Sequence, residues 1–429
     1  MLGRLRHIKR IINPHGGILF CMDEIRKMGV PKLLDKKLGK RVKQAKYKHS
    51  DIILSWIYSM LCESERLEDT KYLKEYFEDI PNTKHPSPDR IAGIFKSFAT
   101  ETDKFKNKNI KHEFNINIPM NGLMLDTALH LKELNTTTEY VMDYDDVPIE
   151  CEKFDAKYTY KKFDGYLPGA AFIGETTVYV EGRGGNSTPG YKIDETVGRA
   201  LALQESKNIK VKRFRSDAAG YTYKITHLMD DKGIEFFIRA DNSEKAYSEV
   251  LDNGKWREVK LGTRTFEVTS ASYEFFGRTF RLVASRGFDD IKNYHNKYTE
   301  DNKTYRLIMT NNWDMSEEDV IHFYNQRGKI ENNFRELLND WNWKRVPFSY
   351  LNQNVVFMIM GAIGRIIYKH LLRKFSRKLK FIQPNMLLKA FRFCFIAVSL
   401  EWIIEGDEKI PVLSSVLRDY SLLLSRPPT

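Results

Sequence analysis

Cysteine is scarce in this 429-residue chain: Cys21, Cys62, Cys151 and Cys394 stand alone, with no C-x-x-C pair among them. That spacing excludes a disulfide scaffold and a zinc module, and the four read as reduced, mostly buried thiols. Long apolar runs are missing too. The longest in the C-terminal third, Val355 to Gly364, stops at Arg365, short of the roughly 20 residues that cross a bilayer, and so reads as a core helix. Residues 1–20 are basic without an uninterrupted apolar stretch, which argues against a secretory signal and for a cytoplasmic protein. There is no low-complexity tract or internal repeat, and 42% hydrophobic with 29% charged residues excludes a disordered or fibrous chain. At this length one core usually splits, so two or three domains are expected.

Acidic residues are absent between Trp341 and Leu400, where 11 basic residues give a net +11. Residues 1–48 hold 14 Lys/Arg against Asp23, Glu24 and Asp35, again a net +11. The whole chain carries +12, so the remainder must carry −10. Basic ends around an acidic middle suggest a polyanion held by the flanks while carboxylates collect at the centre, as a metal-dependent enzyme acting on nucleic acid requires. Lys36, Lys37, Lys40, Arg41 and Lys43 in the first stretch, and Arg373, Lys374, Arg377 and Lys378 in the second, are the candidate DNA contacts. The competing reading of the same charge is a set of solvated helix faces or anionic-membrane contacts.

Residues 50–100 read as helical, with Ile52, Ile53, Trp56, Ile57, Met60 and Leu61 at helical spacing and Ser87-Pro88 opening a further helix. Such a domain suits either a DNA recognition helix or a plain packing bundle. From about Tyr140 the period becomes that of strands: 140–145, 169–174, 176–181 and 211–215, with a helix over 194–208 before the last. A helix over 223–231 and a strand over 235–239 follow, which implies a mixed α/β sheet. Residues 241–303 break the alternation with β segments 263–269 and 279–285 about a turn near Gly277, and read as a separate small β insertion. The pattern resumes with a strand over 305–310, then a helix capped at Ser316 that continues past Glu331 to about Asn339.

Asp145 and Asp217 each end an apolar strand, where side chains of α/β sheets converge on a cleft. On the later helix Tyr324, Arg327 and Glu331 fall within about 60° of one another at about 100° per residue. They border the stripe Val320, Phe323, Phe334, Leu338 and Trp341, expected to face the sheet. Standing alone, Arg327 and Glu331 would be an ordinary i, i+4 ion pair. Two strand-end Asp and a Glu instead supply the oxygen ligands that a pair of Mg²⁺ ions prefers for phosphoryl transfer.

The run Tyr324-Asn-Gln-Arg327-Gly-Lys-Ile-Glu331 resembles the Y-x2-R-x3-E signature of bacterial insertion-sequence DDE transposases, the branch called YREK. Met142-Asp-Tyr-Asp145-Asp146 and Arg215-Ser-Asp217-Ala resemble its first and second Asp segments. Tyr158-Thr-Tyr-Lys161-Lys162 and Gly165-Tyr-Leu-Pro168-Gly169 resemble its following strand region. The likeness runs from about His15 to about Leu372. Two departures stand out: Leu338 occupies the position of the signature's Lys, and Val147 replaces the Thr of the usual D-x-T. The first acid is therefore Asp145 by best fit, with Asp143, Asp146 and the helix-borne Asp126 as alternatives; alternation puts Asp143 and Asp145 on one face.

The resemblance implies a ribonuclease-H-like catalytic core with a β insertion, in the bacterial cytoplasm with the nucleoid. It implies Asp145, Asp217 and Glu331 as catalytic metal ligands for Mg²⁺, with Mn²⁺ as a substitute, and Arg327 and Tyr324 as supporting residues. Partners would be the terminal inverted repeats and target DNA, and the working unit a homodimer on DNA. The expected divisions are a basic helical region over 1–135, core segments over 136–240 and 304–345 around the insertion 241–303, and a basic helical region over 346–429. A nuclease of the same core without strand transfer, and an inactive DNA-binding element protein, are the alternatives.

Overall fold

The computed structural model describes residues 12–78, 80–81, 83–241, 243–261, 264–287, 303–414 and 419–423. Residues 1–11 of the first basic stretch, Thr263 and residues 288–302 of the expected insertion lie outside them. Two compact units emerge. One comprises Glu101–Leu125 and Leu134–Phe334, the other Met1–Thr100, Asp126–Glu133 and Arg335–Thr429.

The first of these is built on strands β1 (Thr102–Asn107), β2 (Ile110–Asn115), β3 (Glu139–Asp146), β4 (Ile149–Glu150), β5 (Lys157–Tyr158), β6 (Asp164–Tyr166), β7 (Gly169–Ile173), β8 (Thr176–Arg183), β9 (Lys210–Ser216), β10 (Glu235–Arg239), β11 (Arg257–Leu261), β12 (Arg264–Phe275), β13 (Arg278–Gly287) and β14 (Thr304–Thr310). Eleven of them form one sheet in the order β1-β2-β8-β7-β3-β9-β10-β14-β13-β12-β11. At its centre β8, β7 and β3 pair antiparallel, while β9 and β10 run parallel to β3. This is the ribonuclease-H-like order, as expected. The parallel strand β10 is buried through Phe236, Phe237 and Ile238, a continuous apolar run because both its faces are covered. Phe237, Val268, Val283 and Ile308 form one core cluster with Val320 and Ile321 of the helix Glu317–Asn325. Ser316 caps that helix by accepting from the Asp319 N–H at 3.1 Å.

The sheet departs from several expectations. The insertion does not stand apart: β13 pairs with β14 and β12 with β13, so its strands extend the core sheet. An unpaired β14 would expose a row of free backbone groups, which β13 satisfies. The expected single helix to Asn339 is broken by a 3-10 turn, Gln326–Gly328, before the helix Lys329–Asn339. Gly328 lies in that turn, where its poor helix propensity lowers the cost of the break. The apolar stripe is therefore split. Phe334 meets Phe172 edge-to-face in this unit, whereas Trp341 belongs to the other. The region 1–135, expected to be helical, also holds the β1–β2 hairpin.

The second unit joins the two regions expected at opposite ends of the chain. The helix His49–Leu61 is buried along nearly its whole length, and Trp56 packs against Phe95 and Phe357. Ser87 caps the helix Pro88–Ser97 as expected. The helix Leu351–Ser376 is long and apolar enough to cross a membrane, yet 94% of its most apolar window is buried inside the protein. Inside it, Arg365 and Lys369 donate to Glu336 at 2.9 and 3.0 Å, a buried trio that suits a core helix. The C-terminal region is not wholly helical, since β15 (Ser399–Glu405) and β16 (Glu408–Ser414) form a hairpin. All four cysteines are free.

Candidate active site

The strands β3 and β9 run side by side in register, Asp143 opposite Arg215. Two residues beyond this last pair come Asp145 and Asp217, near enough that the charge of Asp217 acts on the Asp145 carboxyl. Asp217 is the residue after β9, still extended, and its carboxylate accepts from the Ala219 N–H at 3.1 Å to cap a short 3-10 turn. The next strand, β10, pairs Ile238 with Ser216, which brings the exposed Arg239 beside Asp217. Asp145, Asp217 and Arg239 thus lie at the same end of three neighbouring strands that run parallel.

From the 3-10 turn after the capped helix, Arg327 Nη2 donates to Asp145 Oδ2 at 2.7 Å. Burial pushes the Asp145 carboxyl up, and the charges of Asp217 and Asp146 add to this; together they outweigh Arg327 and hold it at about 7. Burial opposes the charge of Arg327 as well, yet Asp145 and Asp217 keep its guanidinium protonated more firmly than usual. Tyr324 is partly buried, its hydroxyl pushed up by burial despite Arg327, and it senses Asp217 and Asp145. The supporting pair and the two Asp therefore share one electrostatic neighbourhood.

The alternatives for the first acid serve other purposes. Asp143 is gripped by Arg215 at 2.6 and 2.8 Å, and Arg215 also donates to the Phe323 carbonyl. Asp146 pairs with the fully buried Arg183 at 2.9 Å. Asp126 lies in the other unit, paired with Lys37 at 2.8 Å. Of the three strand acids Asp145 keeps the most open side, its side chain 24% exposed against 6% for Asp143 and 2% for Asp146.

Glu331 lies in the first turn of Lys329–Asn339, exposed, and makes no hydrogen bond or ion pair among the described residues. Among those residues no three His, Cys, Asp or Glu side chains stand close enough to share a metal ion. The structure thus brings Asp145 and Asp217 together and leaves Glu331 in solvent. Adding a third anion beside Asp145, whose ionisation burial and the neighbouring carboxylates already oppose, costs more than hydrating it. Asp145 and Asp217 still fit a hard divalent cation, which takes one or two carboxylates and keeps several waters.

Sequence reasoning missed two groups. Arg239 and the exposed Asp241 follow the apolar run of β10 just as Asp145 and Asp217 end theirs, and that placement was the available signal. Burial and the charge of Asp217 both raise Asp241.

Of the basic candidates, all in the second unit, Lys36, Lys40, Lys43, Arg377 and Lys378 are exposed. Lys37 is tied to Asp126, Lys374 to Glu24 and Arg373 to Glu133, and Arg41 donates to the Tyr47 carbonyl.

The family model for the transposase DDE domain, group 1, matches residues 10–393. The chain belongs to this transposase family. Among solved structures, the cryo-EM structure of the piggyBac transposase synaptic complex with hairpin DNA matches at 13% identity and a TM-score of 0.40, covering 89% of this chain and 78% of that one. No curated protein matches the sequence. As a DDE-domain transposase the chain is expected to act on DNA through carboxylates, the class of group gathered at β3 and β9.

Proposed function

We propose that the chain is the transposase of a bacterial insertion sequence, working in the cytoplasm on the nucleoid. It would bind terminal inverted repeats, cut the element's ends and join them to target DNA, as a homodimer that pairs two ends. The observation that carries this reading is the pair Asp145 and Asp217, side by side at adjacent parallel strand ends with Arg327 as counter-charge.

In the proposed reaction a water oxygen attacks the scissile phosphorus in line as its bond to the 3′ oxygen breaks. The freed 3′-OH then attacks a target phosphorus, displacing the target's own 3′ oxygen, so one site serves both steps. Asp145, Asp217 and Glu331 would hold Mg²⁺, or Mn²⁺ in its place, which when bound supplies activation of the attacking oxygen and neutralisation of the leaving one. Arg327 holds the Asp145 carboxylate in position and favours its ionised form. Tyr324 lines the DNA path. The exposed lysines and arginines of 36–43 and 377–378 contact phosphates and set affinity without choosing sequence.

Incubating a pre-cut element end with supercoiled plasmid tests the joining step. Covalent joining of end to plasmid is the expected result; Mg²⁺-dependent nicking without joining would reduce the protein to a nuclease. DNA binding with neither reaction would leave only an inactive element protein. Short inverted repeats flanking the gene, bounded by a small direct duplication, would identify the DNA on which to run it.

A further inference from the structure

We propose that the turn between β5 and β6 clamps an unpaired stretch of the DNA strand held at the carboxylate pair. The inference rests on the strand-cutting reading and adds a binding surface to it. Strands β3 and β7 pair antiparallel with Asp146 opposite Gly169, so a short turn would join them. The chain instead runs outward from the end of β3 that carries Asp145, and returns over residues 147–168. Val147 N–H donates to the Pro168 carbonyl at 3.0 Å and closes the base of this excursion.

The excursion is a fixed structure. Its three strands form their own small sheet in the order β4-β6-β5. Gly165 lies so close to the Ile149 carbonyl that a Cβ there would come within 2.0 Å, and a Cβ on Gly185 would come within 2.2 Å of the Lys157 carbonyl. Tyr166 donates its hydroxyl to Asp155, and the Thr159 N–H donates to the Phe163 carbonyl at 2.8 Å. This scaffold holds out the run Lys157-Tyr-Thr-Tyr-Lys-Lys162, in which Thr159 alone is buried. Tyr158 is 62% exposed and Tyr160 48%. The three lysines are exposed, no acid interrupts the run, and Lys161 sits 5.2 Å from the centre of the Tyr160 ring. Burial, and then the charges of Asp146, Asp145 and Asp217, raise the Tyr160 hydroxyl, which agrees with its nearness to the carboxylates.

Tyrosine faces interleaved with lysines on a rigid support match a single strand, whose bases stack on rings while phosphates meet ammonium groups. A closed duplex hides its base faces and would leave both rings unused.

The test uses the full chain and two fluorescent probes, an intact duplex and the same duplex with a short single-stranded gap. Wild-type protein is expected to prefer the gapped probe. Tyr158→Ala/Tyr160→Ala should lose that preference, binding gapped DNA roughly tenfold more weakly with little change on intact duplex. Lys157→Ala/Lys161→Ala/Lys162→Ala should flatten the slope of log Kd against log salt by about 2 on the gapped probe. Unchanged melting temperatures would confirm that these surface variants fold. No preference in the wild type, or wild-type binding by the tyrosine variant, overturns the clamp. Failure of the cutting reading shows separately, as Mg²⁺-dependent cleavage that survives Asp145→Asn.

Discussion

Arg327 reaches Asp145 across 182 positions of sequence, donating at 2.7 Å to a carboxyl that burial and its acidic neighbours push up to about 7. Without the guanidinium, Asp145 loses both its nearest counter-charge and its positioning partner. Arg327→Ala should lower Mg²⁺-dependent nicking of supercoiled plasmid by about 100-fold, the usual cost of removing an aligned charge-stabilising donor. Arg327→Lys should recover only part, since an ammonium lacks the planar fork. Wild-type nicking by Arg327→Ala would show that the pair is not needed.

Asp143 and Asp145 share a strand face but should separate cleanly on substitution. Asp143→Asn leaves the buried Arg215 without its ion pair, which should cost about 3–5 kcal/mol in urea denaturation. Asp145→Asn keeps a hydrogen-bond acceptor for Arg327 and removes repulsion from Asp217, so its stability should move by less than about 1 kcal/mol while cleavage is lost. A stable but inactive Asp143→Asn would make Asp143 the first acid instead.

Much of this was legible in sequence, because the strands that build the core are apolar runs with carboxylates at their ends. The caps at Ser87 and Ser316 announced their helices, and the turn at Gly277 its hairpin. The β1–β2 hairpin was hidden by its exposure: on a sheet edge, Lys and Asp occupy positions that alternation reserves for apolar residues. The helix break between Tyr324 and Glu331 was hidden for another reason. A uniform 100° step assumes one continuous α-helix, and the 3-10 turn at Arg327 changes the register between the two residues. Nor could periodicity foretell that Asp146 would be taken up by Arg183, a pairing set by a sheet order in which β7 alone separates β8 from β3.

Acid should weaken the protein through Glu317, which joins the β12–β13 hairpin to the capped helix. Burial opposes its ionisation, but donors from Arg257, Ser270 and Arg281 outweigh this and hold it at about 2, below its ordinary 4.5. A carboxyl depressed on folding contributes stability that is complete above 4.5 and disappears as pH falls towards 2. Glu317→Gln should lose about 2 kcal/mol at neutral pH and show a shallower decline in that window. An identical acid limb in the variant would remove Glu317 from the account.

The basic candidates should divide by their partners. Removing Lys36, Lys40 or Lys43, which are exposed, should each reduce the salt slope of duplex DNA binding by about 0.9 if each meets one phosphate. Lys37→Ala and Lys374→Ala should change it less, since Asp126 and Glu24 already engage those ammonium groups. Equal effects at all five positions would mean that the ion pairs open on DNA.

The sharpest measurement is single-turnover cleavage of an element end by Asp145→Asn, Asp217→Asn and Glu331→Gln at saturating Mg²⁺, with end binding followed in parallel. All three should bind the end as wild type does and fail to cut it, Glu331→Gln included, although its carboxylate stands in solvent rather than beside the other two. Wild-type cutting by Glu331→Gln would break the three-carboxylate site and leave the Asp pair in need of another ligand.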